Sequence, residues 1–248
     1  MGDMATDDTA AFRLAMAAAA DNGGGVVYVP RGTYVLSNGF TLPENTEFRG
    51  DGNMLTQIIF DTSQYDNGEV PETMIYATDN FAIRDMYIWG TRLKTLVQNY
   101  ERDSYAYKDY ENIFIDNLVV RSHAWMGKVD INNHRYDAMR EVTPEGDGFD
   151  VAYLFMLMGN NVQFCNNDIY TYSGFGYISG GSGIRISDNK LESSGGGLSV
   201  AAQGLQNVIT ENNTIQDGQI SYGAWNIRLV NENIYHARNV QNHNFGND

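Results

Sequence analysis

The 248-residue chain contains one cysteine, Cys165, and four histidines. A single thiol excludes an internal disulfide. One cysteine and four scattered histidines give no zinc-ligand spacing. No stretch approaches the ~18 apolar residues that a membrane-spanning helix requires, and the alanine-rich run from Ala15 to Ala20 is short and weakly apolar. Positive charge is also scarce. Sixteen Lys and Arg face 31 Asp and Glu, for a formal net charge of −15. Nucleic acid is therefore not expected as a partner, because its binding rests on cationic contacts to phosphates. Nine of the basic residues fall between Arg84 and Arg140, where eight acids accompany them. That stretch is nearly neutral and reads either as a modest basic surface or as an ordinary mixture of solvated charges.

What is abundant is repetition. A short phrase recurs with apolar residues at i and i+2 and Asp or Asn at i+4: Phe81-Ala-Ile83-Arg-Asp85, Ile113-Phe-Ile115-Asp-Asn117, Val162-Gln-Phe164-Cys-Asn166, Ile184-Arg-Ile186-Ser-Asp188, Val208-Ile-Thr210-Glu-Asn212 and Ile227-Arg-Leu229-Val-Asn231. The last four copies are 22, 24 and 19 residues apart. Strand alternation inside a period in the low twenties is the signature of a stacked solenoid, whose units bury their apolar side only against each other. The repeated Asp/Asn fits a turn role, since these residues tolerate left-handed backbone and bond locally. Cys165 sits inside a copy and reads as packing.

Before the repeats, Ala10, Phe12, Leu14, Ala17 and Ala18 outline a short helix. Thr6 or Asp7 is placed to cap it, with acids in its first turn, and Gly23-Gly24-Gly25 ends it. Short strands are expected at Val26–Val29, Tyr34–Leu36 and Phe40–Leu42. A helix closing the open end of a solenoid is physically expected, because terminal units must shield apolar edges and unpaired strands.

Here a family resemblance becomes specific. Gly2-Asp3, Thr6-Asp7-Asp8-Thr9-Ala10-Ala11-Phe12, Gly24-Gly25-Val26-Val27-Tyr28-Val29-Pro30, Gly32-Thr33-Tyr34 and Phe48-Arg49-Gly50-Asp51-Gly52 resemble the opening of the pectate-lyase-like superfamily. That superfamily includes polysaccharide lyases, glycoside hydrolases and tailspikes. The resemblance implies an all-β, right-handed parallel β-helix with a short N-terminal capping helix. The chain is expected to be one β-helix domain over 1–248, with cap and first coil at 1–52 and further coils at 53–248. It is also expected to belong to a longer solenoid, since its last segment starts another repeat phrase. An open C-terminal end would suit homo-oligomer formation.

Two intervals break the rhythm, 32 residues between Phe81 and Ile113 and 49 between Ile113 and Val162. The excess falls at 98–110 and 121–150, with one further coil expected around Phe149 to Leu157. Long connections of this kind usually carry function. Tyr105 and Tyr107, with Tyr100 and Tyr110, crowd the first, and suit sugar faces with one flat side and one polar tip. The second holds His123, Trp125, Lys128, His134, Arg135, Tyr136, Asp147 and Asp150. Gly146-Asp147-Gly148-Phe149-Asp150 resembles the Asp-Gly-x-Asp segment of polygalacturonase-type hydrolases, which implies catalytic acids at Asp147 and Asp150. The later paired acids and Gly-His-Gly of those enzymes are replaced by Ser173-Gly174-Phe175-Gly176 and Ser194-Gly195-Gly196-Gly197. His134 and Arg135 suit proton abstraction and anion binding. Lys128, Tyr136, Trp125, His123, Tyr105 and Tyr107 are candidate substrate contacts.

The expected function is a polysaccharide-degrading enzyme of the glycoside hydrolase kind, working in a groove through paired carboxylates. The alternatives are a β-eliminating lyase and a non-catalytic carbohydrate-binding or tailspike-like module. No cofactor is expected for hydrolysis; Ca²⁺ would enter with a lyase. The strong negative charge argues against a polyuronate substrate unless Ca²⁺ or the 84–140 surface receives it. The expected partner is a poly- or oligosaccharide, with no membrane, and the expected location is secreted, cell-surface or periplasmic.

Overall fold

A computed structural model describes residues 2–62, 71, 73–91, 93, 95–100, 108–123, 153–171, 174–193, 198–216, 220–235 and 240–244. Its strands form three parallel faces that the chain visits in the order A, B, C. Face A holds Gly25–Val29, Thr46–Gly50, the first parts of Phe81–Thr91 and Glu111–His123, Asn160–Cys165, Ser182–Ser187, and the last parts of Leu198–Glu211 and Ile220–Val230. Face B holds Asp3–Asp7, Gly32–Leu36, Thr56–Phe60, the last parts of Phe81–Thr91 and Glu111–His123, Asp168–Thr171, Lys190–Ser193, Thr214–Gln216 and Asn233–Tyr235. Face C holds Phe40–Thr41, Thr73–Tyr76, Thr95–Gln98, Tyr153–Met158, Gly174–Ser179, the first parts of Leu198–Glu211 and Ile220–Val230, and Val240–Asn244. This is a right-handed parallel β-helix.

The repeat phrase is face A. Phe81 pairs with Ile113, Ile113 with Val162, and Ile184 with Val208. Stacking sends one apolar file inward per face: Phe48, Ile83, Ile115, Phe164 and Ile186 on A; Ile58, Ile88, Val120, Ile169, Leu191 and Ile215 on B; Phe40, Ile75, Val97 and Phe155 on C. Each such burial contributes about 1.5–3 kcal/mol. The α-helix α1, Thr9–Asp21, closes the N-terminal end. It inserts Met16 and Phe12, whose ring centroid lies 5.6 Å from Tyr34 and 6.0 Å from both Phe40 and Phe48.

Two local details differ from the sequence expectation. Asp3–Asp7 is itself a strand, paired with Gly32–Leu36. The helix therefore starts later, and Asp7 and Asp8 precede its first turn. The N-cap position is Asp8, without a side-chain cap bond, while Asp7 Oδ1, one residue further out, accepts from the Thr9 N–H at 3.0 Å. At the other end Gly24, at φ 116°, approaches Asn45 so closely that a Cβ would sit 2.4 Å from its carbonyl oxygen, so only glycine fits.

The repeated Asp/Asn makes the corner from A to B. Asp85, Asn117, Asn166, Asp188, Asn212 and Asn231 all have φ between 51° and 61°. Their side chains bond across coils, as in Asn117 Nδ2 to Asp85 Oδ1 at 2.6 Å and Asn212 Nδ2 to Asp188 Oδ1 at 3.1 Å. The next position carries a deeper ladder that the phrase did not reveal. Asn167 donates to Asn189 at 3.0 Å, Asn189 to Asn213 at 2.8 Å, and Asn213 to Glu232 at 2.9 Å. These three asparagines are buried, and their remaining amide hydrogens reach the carbonyls of Ile115, Phe164 and Ile186.

Candidate functional site

On face C, register aligns Thr41, Tyr76, Gln98, Met156, Tyr177, Ser199, Ser221 and Gln241 in one file along the solenoid. The neighbours Phe40, Ile75, Val97 and Phe155 lie in the core, so Thr41, Tyr76, Gln98 and Met156 stand on the opposite side of the sheet. Tyr76 is 45% exposed. Met156 and Met158 pack with Tyr100 and Tyr177 in a small apolar cluster separate from the core. Gln98 is fixed by the Thr73 hydroxyl donating to its Oε1 at 2.6 Å and by its Nε2 donating to the Tyr100 carbonyl at 2.7 Å.

The long connections are rooted at the two edges of this face. The one after Thr95–Gln98 leaves from its C side toward face A. The one after Glu111–His123 arrives at its B side and ends where Tyr153–Met158 begins. This strand completes the coil opened by Glu111–His123, so its register adds no extra coil around Phe149 to Leu157. At the edge toward face A, one residue joins the start of the first connection to the end of Tyr153–Met158. Buried Asn99 donates from Nδ2 to the Met158 carbonyl at 2.9 Å, and its Oδ1 accepts from the Met158 N–H at 2.8 Å.

At the N-terminal end of the file, α1 and face C enclose a groove of about 730 Å³, bordered by Arg13, Met16, Phe40, Thr41 and Tyr76, with Pro43 and Pro71 at its rim. Arg13 donates from Nε at 2.9 Å and from Nη2 at 2.7 Å to the carbonyl of Gly39. A Cβ on Gly39 would lie 2.4 Å from the Met74 carbonyl oxygen, so glycine brings this anchor against the sheet.

Charge separates the faces. The described strands of face C contain no Asp, Glu, Lys or Arg. Face A carries Arg84 against Glu47 at 3.3 Å and Arg185 against Glu211. Face B carries Arg121 against Asp168 at 2.9 Å. Arg84 and Arg121 are thus ion-paired members of the 84–140 stretch, which fits the mixed-charge reading. Ionised groups acting over face C must therefore come from its flanking connections or from α1.

Asp147, Asp150, His134, Arg135, Lys128, Tyr136 and Trp125 lie outside the described residues, as do Tyr105 and Tyr107. His123 ends the strand Glu111–His123, in register with Thr91. Of the stretches that replace the polygalacturonase-type acids, Gly174 lies beside Tyr153 and Gly176 beside Phe155 on face C, while Ser173 and Ser194 to Gly197 lie outside the described residues. Cys165 is buried; burial pushes its thiol up, and the Ser187 hydroxyl donates to its Sγ at 3.3 Å, so it packs. Among the described residues no group of three His, Cys, Asp or Glu is arranged to hold a metal ion. The sequence expectation missed the α1 groove, because its lining comes from separate segments that only the fold brings together.

A parallel β-helix closed by a helix, with a neutral outward file between two long connections, defines the class. A family model described as rhamnogalacturonase A/epimerase, pectate lyase-like, matches residues 1–247, and the chain belongs to that family. Among curated relatives, mannuronan C5-epimerase AlgE2 of Azotobacter vinelandii is 25% identical over 239 residues, covering 90% of this chain and 24% of the relative. Mannuronan C5-epimerase AlgE1 of the same organism is 33% identical over 101 residues, covering 37% of this chain and 7% of the relative. The chain thus spans about a quarter or less of the relatives it matches. Among solved structures, ORF18 of Geobacillus virus E2 aligns with a TM-score of 0.52 at 15% identity, over 94% of this chain and 46% of that one, and shares the fold.

Proposed function

We propose that this chain is a polysaccharide-acting β-helix module whose substrate lies along face C. The observation that carries this is the placement of the two period-breaking connections at opposite edges of one face whose described strands are uncharged. The file of Tyr76, Gln98, Met156 and Tyr177 offers a flat, neutral floor. Coils are stacked about 4.8 Å apart, close to the length of one pyranose unit. The reacting groups are supplied from the sides, by residues whose sequence positions lead into Tyr153–Met158.

The chemistry favoured is removal of the proton at C5 of a uronate, the first step of epimerisation. Names of relatives support it, and so does the absence of the later acid pair from the hydrolase-like pattern. A base takes the C5 proton, and the electrons move into the carboxylate, which a cation must neutralise. Lys128 and Arg135 suit the cationic role; His134 and Tyr136 suit proton exchange. Returning a proton to the opposite side of C5 gives the epimer. Breaking the C4–O bond instead gives a lyase product. Asp147 and Asp150 would set the protonation of this group. Hydrolysis is the second reading, favoured by Asp147-Gly-Phe-Asp150, with these two as acid and base.

The experiment is incubation with polymannuronate and polygalacturonate in D₂O, with Ca²⁺ and with chelator. Deuterium at C5 with intact chain length supports epimerisation. Absorbing unsaturated ends indicate a lyase, and reducing ends without unsaturation indicate a hydrolase. Absence of all three on a panel of anionic and neutral glycans would refute an enzyme.

A further inference from the structure

We propose that the groove between α1 and the first strands of face C is a distal subsite that binds the carboxylate of a uronate unit in the polysaccharide, with Arg13 as the recognising residue. This rests on the reading that substrate lies along face C. Three observations carry it.

The first is continuity. Thr41 and Tyr76 border the groove and also open the outward file that runs through Gln98 to Met156. Tyr76 lies two coils from Met156, on the order of 10 Å at the usual strand spacing. A glycan on the file therefore enters the groove a few sugar units from the strand into which Asp147 and Asp150 lead.

The second is charge. Among the described residues bordering the groove, Arg13 is the one ionisable group besides Tyr76. It stands in a chain of net charge −15, yet among the described residues no carboxylate lies within ion-pair distance of its guanidinium. Two of its five N–H donors converge on the Gly39 carbonyl. A neutral carbonyl fixes the side chain without cancelling its charge. A planar, held guanidinium with donors to spare matches a carboxylate better than a hydroxyl.

The third is shape. About 730 Å³ falls within the range of small-molecule sites. Tyr76, Pro43 and Pro71 give flat apolar surface for sugar C–H faces, while Asn38 and Thr41 add polar groups for hydroxyls. Ala17 and Ala20 keep the helix side low. The described strands of face C carry none of the chain's acids.

The test is calorimetric binding of a hexameric oligouronate, its carboxyl-reduced counterpart and the uronate dimer. The parent is expected to prefer the hexameric uronate over the reduced hexamer. Arg13→Gln should weaken hexamer binding about tenfold or more, the scale of a lost charge-assisted bond, and leave the reduced hexamer and the dimer unchanged. Because Arg13→Gln also loses the Gly39 anchor, Ala17→Glu is the companion: it keeps the anchor, places a carboxylate in the groove, and should weaken only the uronate hexamer. Equal binding of uronate and reduced hexamers by the parent, or unchanged uronate binding in both variants, overturns the proposal. Binding is read without turnover. A parent that binds as expected but transforms nothing refutes the proposed reaction and leaves the subsite standing.

Discussion

Faces A and C are stacked from the same coils, yet they divide the work of the molecule. Face A repeats faithfully. Its corners are left-handed Asp or Asn, its inward file is apolar, and on its outer side Arg84 pairs with Glu47 and Arg185 with Glu211. Face C is less regular, carries no charged residue in its described strands, and lies between the two connections that break the period. The contrast teaches that a solenoid keeps its stability in the faces that look alike and its specificity in the one interrupted by long turns.

The sharpest way to break this comparison is at the connection leading into Tyr153–Met158. Asp150→Asn or Asp147→Asn is expected to lower turnover at least ~100-fold, the usual cost of removing an acid–base group, with an unchanged melting temperature. Near-parent turnover in both variants would show that Lys128, His134, Arg135 and Tyr136 act without the two acids and would end the hydrolase reading. The opposite result is expected on the regular side. Asn189→Ala opens the buried ladder and strands donors and acceptors on Phe164, Asn167 and Asn213. It should cost on the order of 3 kcal/mol in denaturant unfolding, with turnover per folded molecule retained.

A smaller effect is expected at Asp7. Partial burial pushes its carboxyl up, but bonds from Ser37 Oγ, Thr9 Oγ1 and the Thr9 and Ser37 N–H groups outweigh this and hold it at about 2. A depressed folded value means its stabilisation is present above the unfolded value near 4 and disappears as pH falls through about 2. Asp7→Asn should therefore destabilise at pH 7 and converge with the parent in melting temperature below about pH 2. Constant separation across that window would show that the carboxylate charge is not what matters. The smallest effect is expected for the exposed pair Arg185 and Glu211: Arg185→Gln should change stability by less than ~1 kcal/mol and leave turnover alone.

The fold was legible where local chemistry and stacking agree. Isoleucine, valine and phenylalanine alternate in four of the six phrases of face A, with Thr210 and Leu229 in the other two, and Asp or Asn marks each corner, so sequence spacing alone matched coil to coil. The strand Asp3–Asp7 was not legible, because Asp-Met-Ala-Thr-Asp has poor strand propensity and is held by pairing with Gly32–Leu36. Asn167, Asn189 and Asn213 were hidden for another reason: a buried asparagine looks like any turn residue until the coil above supplies its acceptor. The candidate site was legible as a place, two interruptions of a period, but the α1 groove was not. Arg13 and Tyr76 are separated in sequence and meet only because the cap helix folds against face C.

The inner ladder has a direction. Asn189 takes hydrogens from the coil before it and gives one to the coil after it, whereas Glu232 only takes. Duplication or loss of a whole Asn-bearing coil upstream leaves every giver opposite a taker. The same edit downstream of Glu232 offers the next coil no amide hydrogen. Insertion or removal of a single Asn-bearing coil before that glutamate therefore keeps the inner ladder closed, whereas the same edit after it does not.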